Sequence, residues 1–223
     1  MIISEHDIRL YYQLNEGTEV PLIIVNVDRS NDGTSLYEEI KSTTDKPFIL
    51  AIIQVNSWSD ELSPWPAEPV FGKYPFGGKG PNYLKQLEDH IIPELLKQLN
   101  CEISYIAVAG YSLAGLFALY TAYNSVRFEK IVSASGSLWY PGFKEYIFNT
   151  PLNKKINKIY LSLGDKEKIS KNKLMAQVEE NTLEIYDHLN KETDVYFEFN
   201  EGNHFKDPDK RLAKGIAYIL NRD

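Results

Sequence analysis

Apolar positions along this chain follow two alternating periods, and the alternation defines a fold class. Short runs rich in β-branched residues read as buried strands at Leu22–Val27, Phe48–Val55, Ile103–Ala109 and Phe128–Ala134. Ile156–Leu163 and Val195–Asn200 continue the series, and Ile8–Leu14 reads as an added edge strand. Between them lie helical spacings: Leu84, Leu87, Ile91 and Leu95 fall three or four apart, as do Leu212, Ile216, Ile219 and Leu220 in part. Pro93 sits inside the first of these patterns, which should kink or split there. The last helix has a marked start, with Asp207 placed to cap it and Pro208 in its first turn.

Strands separated by helical patterns imply βαβ crossovers, hence an α/β fold with a mostly parallel central sheet and helices on both faces. The nearly continuous apolar strands agree, since such a sheet is covered on both sides. With no internal repeat and no linker, residues 1–223 read as a single domain. Residues Asn56–Pro81 break the rhythm as a long segment rich in proline, glycine and aromatics. Long loops inside compact domains are usually functional or disordered, and Trp58 and Trp65 argue against disorder here.

Composition narrows the classes. No run approaches the ~18 apolar residues of a membrane span, and the opening MIISEHDIRL lacks the basic and apolar regions of a signal peptide. A lone cysteine, Cys101, suits a reducing compartment, so a cytoplasmic location is expected. The net charge of −7, without a basic block, speaks against an electrostatic grip on nucleic acid or anionic lipid. There is no HExxH, no CxxC and no glycine-rich phosphate loop, so neither a metal nor a cofactor is expected. The four histidines, His6, His90, His188 and His204, leave few candidates for any mechanism that needs one.

The most informative stretch is Tyr105–Leu119, YIAVAGYSLAGLFAL. A buried strand runs into Gly110-Tyr111-Ser112-Leu113-Ala114-Gly115, and a helix follows. A serine on such a sharp turn is presented above the sheet, and the residues two before and two after it must be small. Those positions are Gly110 and Ala114, an alanine variant of the usual glycine pair, with Gly115 one place later. Ser112 is therefore the candidate nucleophile, provided a base removes its proton.

Where a serine on this turn is a nucleophile, an acid and then a histidine follow it along the chain. His188 lies within the helical stretch Ala176–Leu189, whereas His204 lies in a loop between the last strand and the capped helix. That loop can reach back over the C-terminal edge of the sheet, so His204 is the candidate base. The acid should follow the penultimate strand, in Leu163-Gly164-Asp165-Lys166-Glu167-Lys168. Glu167 is preferred for its reach; Asp165, directly after glycine, can turn the loop instead and stays the alternative.

Two donors should stabilise a tetrahedral oxyanion. The N–H of Leu113, immediately after the nucleophile, is one, and the N–H of Asp28 or Arg29 after the strand Leu22–Val27 is the other. The Asn56–Trp58 opening is the fallback. Tyr111, Trp58, Trp65 and Trp139 are candidate substrate-binding residues, because each tryptophan follows the C-terminal end of a strand, where open α/β sheets bind ligands.

GYSLAG at Gly110–Gly115, LSLGDKE at Leu161–Glu167 and GNHF at Gly202–Phe205 together resemble the α/β-hydrolase superfamily, and within it the putative-esterase family. That group holds feruloyl and acetyl-xylan esterases, siderophore esterases, S-formylglutathione hydrolases and mycolyltransferases. The resemblance spans Leu22 to Leu220 and implies a single-domain α/β-hydrolase without a large cap domain. It also implies an acyl-enzyme on Ser112, His204 as base, and Glu167 or Asp165 as its orienter. The chain departs from the family in lacking an HGG-type oxyanion motif and the basic pocket suited to a catecholate siderophore. The expected activity is serine carboxylic-ester hydrolysis of a small-molecule ester, an acylated carbohydrate or a small acyl ester. The alternatives are an acyltransferase, or a non-catalytic binding or regulatory module on the same fold. The oligomeric state is left open.

Overall fold

Runs of residues that are apolar on both faces can only be satisfied inside a covered sheet, and they build one here. The computed structural model describes residues 1–14, 19–70 and 72–221. In chain order the elements are β1 (Ile2–Ile3), β2 (His6–Gln13), β3 (Val20–Val27), α1 (Thr34–Thr43), β4 (Phe48–Gln54), α2 (Trp58–Glu61), β5 (Pro66–Ala67) and β6 (Phe76–Gly77). There follow α3 (Gly80–Gln86), α4 (Ile92–Gln98), β7 (Ile103–Tyr111), α5 (Leu113–Asn124), β8 (Lys130–Ala134) and α6 (Phe143–Asn149). The chain continues through β9 (Lys158–Gly164), α7 (Val178–Leu189), β10 (Asp194–Asn200) and α8 (Pro208–Asn221).

Eight strands form the main sheet in the order β1-β2-β4-β3-β7-β8-β9-β10. From β4 to β10 all pairings are parallel, while β2 runs antiparallel to β4 and β1 to β2. The strand expected at the edge, Ile8–Leu14, is thus one place in from it, because β1 pairs along its outer side. Alternation along β3 divides the core: Ile23 and Val25 pack with Leu36 and Ile40 of α1 and Leu212, Ile216 and Ile219 of α8. Leu22 and Ile24 face the opposite layer, with Leu87, Ile91, Leu116, Phe117 and Ile185. The chain leaves β3 for β4 on one side and later places β7 on the other, so the topological switch point lies between β3 and β7. Open α/β sheets bind ligands beyond the carboxyl ends of the strands at such a point.

Two segments show how local chemistry resolves the sequence pattern. The helix from Gly80 to Gln98 is interrupted by a π turn over Leu87–Ile91, in which the Ile92 N–H reaches the Leu87 carbonyl. Pro93, in the first turn of α4, has no N–H to give the fourth residue back, and the wider turn just before it absorbs the mismatch.

The Asn56–Pro81 segment holds α2 and a two-stranded ribbon of β5 and β6; Phe71, within it, lies outside the described residues. Buried Ser63 closes the ribbon, its hydroxyl accepting the Gly78 N–H at 2.8 Å and donating to the Ser59 carbonyl at 2.7 Å. Gly78 has φ +68°, and a Cβ there would lie 2.2 Å from the Pro66 nitrogen. Among the described residues no helix is long and apolar enough to cross a bilayer.

Candidate active site

The strand β7 ends at Tyr111 and α5 begins at Leu113, leaving Ser112 alone to make the turn. Its φ of +59° is a strained conformation for a residue with a Cβ. Backbone hydrogen bonds hold it there: its N–H donates to the Ala134 carbonyl, and its carbonyl accepts the N–H groups of Leu116 and Ser137. The turn is possible because Gly110 lets helix backbone touch strand backbone. A Cβ on Gly110 would lie 2.2 Å from both the carbonyl carbon and oxygen of Ala114.

The alanine at the second small position is explained by Gly115. A Cβ on that residue would meet the Gly110 oxygen, the Gly136 Cα and the Ser133 Oγ, each at 3.0 Å, so the further close approach falls one residue later than usual. Gly110→Ala should force β7 and α5 apart. The expected cost is about 1–3 kcal/mol, typical of an overpacked core, read as a lower urea midpoint with an unchanged m-value.

His204 lies in the loop between β10 and α8, over the C-terminal edge of the sheet. Its Nε2 is 3.0 Å from the Ser112 Oγ and its Nδ1 is 2.7 Å from the Glu167 Oε2. A carboxylate can only accept, so Nδ1 carries the proton and Nε2 is left to accept from the serine hydroxyl. The Glu167 side chain is only 4 % exposed. Burial pushes its carboxyl up, but the hydrogen bond and charge of His204, the Ser135 hydroxyl and the Gly164 N–H outweigh this and leave it lowered.

Asp165, the alternative acid, is turned elsewhere. Its Oδ1 accepts the Gly202 N–H at 2.7 Å and its own N–H donates to the Asn200 carbonyl. It therefore staples the loop after β9 to the loop after β10. His188 lies on α7, where it faces Glu192 at 3.2 Å.

Beneath this line lies a layer the sequence reading missed. Arg211 of α8 is 3 % exposed, and its Nη1 lies 3.2 Å from the Tyr111 hydroxyl, 3.2 Å from the Ser135 Oγ and 3.3 Å from the Glu167 Oε1. Its Nη2 donates to the carbonyls of Glu201 and Asn203, both at 2.9 Å. Ser135, in the left-handed region at φ +46°, donates to the Glu167 Oε1 at 2.7 Å. The available signal was an arginine in register with the apolar stripe of α8, four residues before Gly215 and eight before Ile219, all buried. Ser137, also unread, brings its Oγ to 3.5 Å from the Ser112 Oγ.

The remaining candidates are placed as follows. Leu113 occupies the first turn of α5, where backbone N–H groups have no partner within the helix. Asp28 follows β3, the strand beside β7; its carboxylate accepts the Ser30 N–H and hydroxyl. Tyr111 commits its hydroxyl to the His204 carbonyl at 2.6 Å, beneath the histidine loop and not out toward a ligand, and burial raises its pKa.

Trp58 starts α2 and packs, half-buried, against the main core. Trp65 donates its indole N–H to the Pro141 carbonyl and packs on Tyr140 and Tyr146. Trp139 is 5 % exposed and lies on Phe76 and Tyr140. It borders a cavity of about 430 Å³ with Lys144, Leu174 and Asn181. Trp65 and Trp139 thus join the Asn56–Pro81 segment to the loop after β8. Phe205, 84 % exposed, sets its ring edge-on to His204 at 5.3 Å.

Residues 26–216 match the family model described as Putative esterase. An uncharacterized protein, YbbA of Bacillus subtilis (strain 168), is 28 % identical over 171 residues, covering 71 % of this chain and 68 % of that protein. Among solved structures, the siderophore hydrolase EstA from Aspergillus nidulans superposes with a TM-score of 0.75 at 18 % identity, over 97 % of this chain and 90 % of that one. An IroE-like serine hydrolase from Shewanella oneidensis gives a TM-score of 0.77 at 15 % identity, over 97 % and 75 %. At these identities the structural likeness is one of fold.

Proposed function

The chain belongs to the Putative esterase family, and from that premise we propose that it is a serine carboxylic-ester hydrolase working through Ser112, His204 and Glu167. The observation that carries the reading is the single line from the Ser112 Oγ through the His204 imidazole to the Glu167 carboxylate, with links of 3.0 and 2.7 Å. Both lengths lie in the hydrogen-bonding range, and a ring that donates its Nδ1–H to the carboxylate has the tautomer a general base needs.

In the proposed cycle the Ser112 Oγ bonds to the ester carbonyl carbon while His204 Nε2 takes its proton. The carbonyl π pair moves to oxygen, where the N–H groups of Leu113 and Asp28 receive it at the positive end of α5. The pair then returns, the bond to the alcohol breaks, and His204 protonates the departing alkoxide. Water, activated by the same imidazole, attacks the acyl-enzyme, releases the carboxylic acid and restores Ser112. Throughout, Glu167 holds the ring and stabilises the imidazolium.

For the substrate we infer a small ester, an acylated carbohydrate or a small acyl ester, met in the cytoplasm. A fluorophosphonate tests the reading without knowledge of that substrate. The expected result is one covalent adduct, mapped by peptide mass to Ser112 and abolished in Ser112→Ala. A folded protein that forms no adduct there would instead be a binding module on a hydrolase fold. Acetyl, butyryl, feruloyl and thioester substrates, with and without acceptor alcohols, then separate hydrolysis from acyl transfer.

A further inference from the structure

Resting on that reading, we propose that Arg211 is a positioning residue that sets both the geometry and the proton affinity of the His204–Glu167 pair. A buried guanidinium is expensive unless its donors and charge are met. Arg211 is met by partners belonging to the two halves of the proposed machinery. Its Nη1 faces the Glu167 Oε1, directly and across the Ser135 Oγ, and its Nη2 holds the carbonyls of Glu201 and Asn203, in the turn that carries His204. The Tyr111 hydroxyl links the same Nη1 to the His204 carbonyl. One planar group therefore measures the distance between acid and base.

The division of labour on Glu167 follows. Oε1 takes Arg211, the Ser135 hydroxyl and the Gly164 N–H, which leaves Oε2 to His204. Gly164 provides the room. A Cβ there would lie 2.4 Å from the Gly202 oxygen and 2.9 Å from both the Arg211 Nη1 and the Glu167 Oε1.

Charge adds a second consequence. The groups facing the pair are Arg211 from α8, Tyr111 from β7, Ser112 from the turn after it and Ser135 from the loop after β8. Asp165 binds the Gly202 N–H in the adjoining turn, and Lys206 is paired with Glu201. With Arg211 in place, its guanidinium partly balances the negative field that Glu167 exerts on the ring. Removing the guanidinium exposes the full carboxylate charge to His204, so the ring should hold its proton to higher pH.

The test measures Ser112 phosphonylation by a fluorophosphonate against pH in wild type, Arg211→Met and Arg211→Lys. For Arg211→Met the maximal labelling rate should fall about 10–100-fold, as expected of a displaced base, with probe affinity changed less than about threefold. Its acid limb should move up by about half a pH unit or more. Arg211→Lys should leave the limb in place yet still label slowly, because one ammonium cannot span the acceptors of both nitrogens.

Loss of packing alone would lower the amount of folded protein without moving the limb. Folded variants with wild-type rate and limb would overturn the proposal. If Arg211→Met does not fold, a wild-type rate in Arg211→Lys overturns it equally. A wild-type protein unlabelled at Ser112 counts against the esterase reading instead. The His204 ring titration, followed by NMR, then decides for Arg211 alone: an upward move in Arg211→Met supports the role and an unmoved titration overturns it.

Discussion

Ser112→Ala should lower ester turnover by about four to six orders of magnitude, the range seen when the nucleophile of a cooperating triad is removed. The fold should survive, because Ser112 is held at its positive φ by backbone groups: its N–H on Ala134, and its carbonyl on Leu116 and Ser137. Alanine keeps all three bonds and carries the same Cβ through the same φ. Among the described residues, the side-chain bonds lost are those to the His204 Nε2 and the Ser137 Oγ. His204, still pinned by Glu167, would then face a methyl group. The measurement is initial-rate ester hydrolysis beside a thermal melt. A variant with an unchanged melt and retained turnover would remove Ser112 from the chemistry.

How much of this was legible beforehand depends on how local each constraint is. The turn at Ser112 was readable because strand, glycine, serine and helix lie consecutively, and only small residues allow the backbones to touch. The parallel strands were readable because burial on both faces writes a continuous apolar run. Even so, β7 continues two residues past the expected Ala109, since Gly110 and Tyr111 still pair with Ser133 and Ala134. The ribbon of β5 and β6 was not readable, as two-residue strands are too short to show a period.

Arg211 was hidden for a different reason. Its partners come from β7 and from the loops after β8, β9 and β10, which meet only once the sheet is assembled. Tyr111 is expected among the substrate-binding residues, yet the turn sends its hydroxyl beneath the histidine loop, to the His204 carbonyl. The same holds for Trp139, whose place after a strand end was visible while its packing under Phe76 was not.

Glu167→Gln should cost about three to four orders of magnitude in kcat, while Asp165→Asn should cost less than about tenfold. The asymmetry follows from the donors around each carboxylate. The Glu167 Oε1 accepts from Gly164, Ser135 and Arg211, so a glutamine must keep its oxygen there and turn its NH2 toward His204. Nδ1 would then have to accept, Nε2 would carry the proton, and the imidazole could no longer take one from Ser112; a wrong tautomer of this kind costs about 10⁴ in rate. Asp165 gives its Oδ1 to the Gly202 N–H instead, and an asparagine oxygen can still receive that bond.

Stability against pH gives a second, independent readout. Burial raises the Glu167 carboxyl, but its bonds to His204, Ser135 and Gly164 leave it lowered below the ordinary value near 4.5. A carboxyl lowered on folding stabilises the protein above its unfolded value, and that contribution fades as pH falls through its folded value. Wild type should therefore lose denaturant stability on acidification below about pH 4.5 more steeply than Glu167→Gln, which has no such proton to bind. Equal acid slopes, or a larger kcat loss in Asp165→Asn than in Glu167→Gln, would move the role of the acid away from Glu167.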